Sequence, residues 1–117
     1  MNYRGIIIEE SLGDKSILDK CEILKTKVAE IDARTTWYMH KVQIAEENIH
    51  EFTKELIEKM DPNGRWYSHF YHEDPNKTQM IVTFYKKRFC ESKDNFDRSV
   101  EYGLQEGIAE VQLDFLA

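Results

Sequence analysis

Residues 39–89 read MHKVQIAEENIHEFTKELIEKMDPNGRWYSHFYHEDPNKTQMIVTFYKKRF, and the hydrophobic period changes twice along them. From Tyr38 to Ile44 apolar and polar residues alternate, which is the pattern of a half-buried strand. Tyr38, His40, Val42 and Ile44 share one face, and Met39, Lys41 and Gln43 share the other. From Ala45 to Met60 the period lengthens. Ala45, Ile49, Phe52, Leu56 and Met60 follow at steps of 4, 3, 4 and 4, an amphipathic helix stripe. Glu46 and Glu47 suit the positive end of the helix dipole, Glu55 and Lys59 form a favourable i,i+4 pair, and Pro62 and Gly64 stop the helix.

Beyond the stop, two extended runs flank the turn Glu73-Asp74-Pro75-Asn76-Lys77, predicting a hairpin. Pairing His72 with Thr78 sets Phe70 opposite Met80, Ser68 opposite Val82 and Trp66 opposite Phe84, a largely apolar face for the helix to cover. The other face then carries Tyr67, His69 and Tyr71 beside Ile81, Thr83 and Tyr85.

Working outward, Arg4 to Glu10 is β-branched enough for a buried strand, and residues 11–14 turn the chain at Gly13. Residues 16–32 fit two descriptions: a helix through Ile17, Leu18, Cys21, Leu24, Val28 and Ile31, or one short helical turn followed by a strand from Ile23 to Val28. The second is our preference. A last helix over residues 95–108 sets Phe96, Val100, Leu104 and Ile108 on one stripe, with Gly103 and Gly107 placed for close packing and Asp94 and Asp97 at its start. The tail from Val111 to Leu116 is apolar enough to dock. Two helices and four or five strands predict one α+β domain of ferredoxin-like type, residues 1–117, with an antiparallel-rich sheet and both main helices on one face.

Composition limits the functions open to such a domain. At 117 residues, with 41% hydrophobic and 32% charged residues, the chain matches a soluble globular protein able to bury a core. A net charge of −6 repels polyanions at long range, so nucleic acid is disfavoured as a partner. The run Lys86-Lys87-Arg88 is too short to reverse this and reads as a solvated turn or edge. Residues 84–89 are similar to the aromatic-basic strand of RNA-binding sheets but lack its glycines. The apolar run Ile6-Ile7-Ile8 falls far short of the roughly 20 residues that cross a bilayer, so no membrane partner is expected. Two cysteines without a disulfide framework, and no leader pattern, lead us to expect a cytoplasmic protein.

The predicted architecture leaves one sheet face to find its own cover. Tyr67, His69, Tyr71, Ile81, Tyr85 and Met39 make that face more apolar than water requires, and we expect it to bind a second copy or another partner. A small-molecule ligand is a further candidate for it. The alternative is a small hydrolase or metal-dependent enzyme using His40 or His69 with Glu9 or Glu10, since a carboxylate–imidazole pair is a general-base constellation. His69 and His72 are three apart on a strand and face opposite ways, His50 lies at the helix's polar boundary, and His72 lies at the hairpin mouth within reach of water. We therefore expect no metal site and no cofactor. Cys21 and Cys90 read as inert packing residues.

The opening Arg4-Gly5-Ile6-Ile7-Ile8-Glu9-Glu10-Ser11-Leu12 and the ending Tyr102-Gly103, Gly107-Ile108 and Gln112-Leu113-Asp114-Phe115 resemble a family of short prokaryotic proteins, as do the stretches around His40-Lys41-Val42 and Arg65-Trp66-Tyr67. The resemblance spans essentially the whole chain. It implies a free-standing prokaryotic domain and carries no activity, cofactor or catalytic residue.

Overall fold

In a computed structural model, which describes residues 1–113, one sheet of six strands runs the width of the molecule. The elements are β1 (Asn2–Ile8), β2 (Glu22–Asp32), β3 (Thr35–Ala45), α1 (Ile49–Lys59), β4 (Ser68–His72), β5 (Gln79–Phe84), β6 (Lys87–Ser92) and α2 (Asp97–Gln105). Single 3-10 turns cover Glu9–Ser11, Glu46–Asn48 and Glu110–Gln112, and a longer one covers Lys15–Lys20. The spatial order is β2-β3-β1-β4-β5-β6, every neighbouring pair antiparallel. The fold is α+β. Because β3 and β4 both flank β1, the passage β3–α1–β4 is a split β-α-β unit.

Residues 16–32 form the short helical turn followed by the strand. Asp14 caps that turn by accepting the Ser16 amide hydrogen bond at 3.0 Å, and the Ser16 hydroxyl, then this amide bond, then Lys59 hold its carboxyl well below the usual carboxylate range. The Gly13 and Asp14 amides donate to the Lys59 carbonyl at 2.8 and 3.0 Å, so the loop also closes the end of α1.

Two apolar clusters lie on opposite faces of the sheet. On one, Ile49, Phe52, Leu56 and Met60, the predicted stripe, cover Tyr3, Ile7, Val42, Ile44, Phe70 and Ile81. On the other, α2 and Ile108 cover Met80, Val82 and Phe84, with Val100 and Tyr102 packed alongside. Three expectations are corrected here. The helices sit on opposite faces instead of one. There are six strands instead of four or five, because Lys87–Ser92 continues past the basic turn as β6. The β4–β5 register is slipped by one, with Phe70 opposite Ile81 and Tyr71 opposite Met80.

That slip turns every β5 side chain over, because strand side chains alternate with a period of two. Thr78 does not pair with His72; its carbonyl accepts the Lys93 amide at 2.8 Å. Leu104 also differs from expectation. It faces water, and the packed side of α2 is Val100 with Gly103, where a Cβ would meet Leu113 Cδ2 at 2.6 Å. Leu113 docks as the tail was expected to, while Asp114 to Leu116 lie outside the described residues. Among the described residues no helix is long and apolar enough to cross a membrane.

Candidate functional site

The aromatic face anticipated from the sequence is only partly assembled. Tyr67, His69 and Tyr71 do line one side of β4, their rings stacked in series at 6.2 and 6.4 Å. Met39 lies on the same side, since Ile8 pairs with Met39 and Ile6 with His69. Ile81 and Tyr85 do not join them: Ile81 is buried in the α1 cluster and Tyr85 packs against it. The ladder is also covered. Tyr67 and Tyr71 pack on the α2 cluster, the Tyr67 hydroxyl donates to the Gln112 carbonyl, and His69 is buried. The open interface expected from Tyr67, His69, Tyr71, Ile81, Tyr85 and Met39 therefore does not form as one surface.

His40 and Glu9, by contrast, meet. β1 ends at Ile8 and the chain curls into the Glu9–Ser11 turn beside β3. Because Ile7 pairs with His40, this turn brings Glu9 Oε1 to 3.2 Å from His40 Nε2. Across the next ladder Thr26 pairs with His40, and Thr26 Oγ1 lies 2.8 Å from Nδ1. With a carboxylate at Nε2, that nitrogen carries the hydrogen and Nδ1 accepts from the Thr26 hydroxyl; this tautomer is assigned from the hydrogen-bond pattern. Lys15 Nζ stands 3.6 Å from the other Glu9 oxygen. Glu10 is not a partner of His40; it accepts the Tyr38 amide at 2.8 Å.

Hydroxyl, imidazole and carboxylate thus stand in the order that activates a nucleophile. Neither of two surface hollows holds these residues. One, of about 440 Å³, lies between Asp19–Glu22 and Gln43–Ala45, and the other, of about 250 Å³, lies beside Trp66 and Tyr102.

The remaining histidines have other work. His72 is buried, not wetted as expected: Nδ1 accepts the Asp74 amide at 3.1 Å, and Nε2 donates to Glu46 Oε2 at 3.2 Å. That bond, reinforced by Lys77, holds the Glu46 carboxyl below its usual range. His72 thereby ties the hairpin to the start of α1. His50 is exposed on α1. Among the described residues no three His, Cys, Asp or Glu side chains gather to hold a metal ion. Burial, with Asp19 nearby, pushes the Cys21 thiol up to about 11, which leaves it protonated and unreactive at neutral pH.

The exposed apolar surface lies instead on the ribbon formed by β2 and β3, which sequence reading did not single out. Ile23, Leu24, Val28, Ile31 and Tyr38 are all more than 40% exposed there. Pairing of Ile23 with Val42, Thr26 with His40 and Val28 with Tyr38 puts Ile23, Thr26, Val28 and Tyr38 on the α1 side of the sheet, beyond the reach of α1. The opposite side carries Lys25, Lys27 and Lys41 around Trp37 and Met39. β2 is an edge strand whose register shifts at both ends, between Ile23 and Lys25 and between Glu30 and Asp32. The signal was present in Ile23 to Val28, whose apolar residues do not all fall on one face of a strand.

No family model, curated protein or solved structure matches this chain. Its function is therefore argued from its own geometry.

Proposed function

We propose that this chain is a binding module that pairs with a second copy of itself through the lysine-free side of the β2–β3 ribbon. The observation that carries the reading is the group Ile23, Val28 and Tyr38, exposed together on one sheet face outside both cores. Exposed apolar residues clustered on a rigid face mark a docking surface more often than isolated ones do. Charge selects which face a copy uses. The Val28–Tyr38 side carries a single carboxylate, Glu30 opposite Thr36, whereas Lys25, Lys27 and Lys41 on the other side repel their own images.

Analytical ultracentrifugation tests this directly. The wild-type chain is expected to sediment as a dimer at tens of micromolar, roughly the range an interface of modest area sustains. Tyr38→Asp, alone or with Val28→Asp, is expected to give folded monomer. A monomeric wild type, or a dimer indifferent to both substitutions, sinks the reading.

A second reading rests on His40. Its bracketing by Glu9 and Thr26 is the arrangement of a general base facing a hydroxyl, and it supports a small hydrolase acting on activated acyl esters. The two readings compete, because Thr26 shares the face of Val28 and a docked copy shields it. Release of p-nitrophenol from its acetate ester should fall to the buffer rate in both His40→Ala and Thr26→Val. Turnover no faster than buffer in the wild type removes the hydrolase.

A further inference from the structure

The lysine side of the ribbon stands apart from the proposed dimer face. Lys25 and Lys41 are directly opposite one another on adjacent strands, and Lys27 follows Lys25 on the same face. All three are exposed. Like charges directly across a ladder destabilise it, and long side chains splay to relieve the repulsion. Relief by carboxylates is the usual remedy, and the chain has 22 Asp and Glu residues against 16 Lys and Arg. Among the described residues none of them pairs with these lysines. The described ion pairs involve Arg4, Lys15, Lys20, His40, Lys59, His72, Lys77 and Arg98, and not one of these three lysines. An acid-rich protein thus holds three lysines without ion-pair partners, Glu22 and Asp32 standing only at the two ends of their face, with Trp37 and Met39 half-buried in its floor.

The patch borders an unpaired strand edge. Between its two bulges β2 pairs with β3 without irregularity from Lys25 to Glu30, so the outer edge of those residues offers a straight row of backbone donors and acceptors. Lysines and bulges on an edge strand keep identical edges from pairing. The same lysines admit a strand of opposite charge, so one device rejects copies and selects a partner. We infer that this edge receives an extended acidic segment of another protein, added to the sheet beside Lys25–Glu30 with its carboxylates over Lys25, Lys27 and Lys41. Main-chain hydrogen bonds would supply affinity, and alternate side chains specificity. An extended segment fits the edge better than a helix does, because its side chains repeat at the same spacing as the lysines.

The test is a titration of the isotopically labelled full chain with an acetylated peptide of alternating glutamate and valine, followed by amide chemical shifts. Shifts centred on β2 from Lys25 to Glu30 are expected, weakening as salt is raised. Lys25→Glu with Lys27→Glu should lower affinity about tenfold, the combined weight of two surface ion pairs turned repulsive. The same variant should instead gain binding to a peptide of alternating lysine and valine, which shows that the variant is folded and the edge intact. Tyr38→Asp, which addresses the dimer, should leave the glutamate titration unchanged, so the two proposals fail separately. Equal binding of the glutamate peptide to wild type and charge-reversed chain overturns the inference, as does an absence of shifts with either peptide. Tighter, lysine-dependent binding of a thymidine oligonucleotide also overturns it and reassigns the patch to nucleic acid.

Discussion

Phe70→Ala is expected to lower the free energy of unfolding by about 4 kcal/mol, a large part of the roughly 5–15 kcal/mol that holds a domain of this size together. Phe70 is fully buried in β4, with β1 on one side and β5 on the other. Its ring meets Phe52 of α1 edge-on at a centroid distance of 6.0 Å, so it links the helix to the centre of the sheet. Truncation leaves a void that its surroundings cannot fill. Its ladder neighbours are Gly5, which has no side chain to move in, and Ile81, which is itself packed in the α1 cluster, and both flanking strands are held by their own ladders. The cavity contribution should therefore stand near its full value. Urea titration checks it: the midpoint should fall with an unchanged slope, and Phe70→Leu should lose only about 1 kcal/mol. A loss below about 1 kcal/mol for alanine would mean that the α1 face of the sheet is not packed as described.

The parts of this fold that were legible in the sequence are those in which burial differs between faces. His40, Val42 and Ile44 are buried as the alternation in β3 requires, and Ile49, Phe52, Leu56 and Met60 as the stripe in α1 requires. Where both faces are treated alike, the period carries no information. β5 reads QMIVTF, and Met80 to Phe84 are all buried because α1 covers one side and α2 the other. A continuous apolar run fits either register of a hairpin equally well, so the agreement of face patterns obtained by pairing His72 with Thr78 does not select one. The Lys93 amide settles it by claiming the Thr78 carbonyl.

β2 shows the converse. It is exposed almost throughout, so helix and strand descriptions matched it equally, and although the strand from Ile23 to Val28 is the preferred reading, nothing in the sequence sets it beside β3, which hid Thr26, the third member of the His40 group. Glu9 was legible because parity alone puts His40 inside, close to the end of β1. The consequence for function is direct. Misplacing β5 and α2 made a covered aromatic ladder look open, and an unknown strand order hid the ribbon that is open.

Gly5→Ala is expected to destabilise the chain by about 3 kcal/mol, a large effect for the addition of one methyl group. Gly5 sits in the middle of β1, between Val42 on β3 and Phe70 on β4. A Cβ there would lie 2.2 Å from the His69 carbonyl oxygen and 2.5 Å from Phe70 Cδ1. The ring can rotate away at some expense in packing. The carbonyl belongs to backbone held in the β1–β4 ladder, and relieving that clash means parting the two strands. Combining the substitution with Phe70→Ala separates the two obstacles. The double variant should be more stable than the sum of the single losses by about 1 kcal/mol, since the ring is gone, but still less stable than Phe70→Ala alone, since the carbonyl remains. Equality with Phe70→Ala would assign the whole penalty to the ring. The site of the damage matters as much as its size, because the β1–β4 seam joins the ribbon half of the sheet to the half sandwiched between the helices. Native-state hydrogen exchange on Gly5→Ala should show β1 and β4 amides losing protection together, while the β2–β3 ladder, which does not touch the seam, retains more of its own. A variant that opens the ribbon first would place the weakest joint of the sheet elsewhere, between β3 and β1, and would make the docking ribbon itself the mobile part.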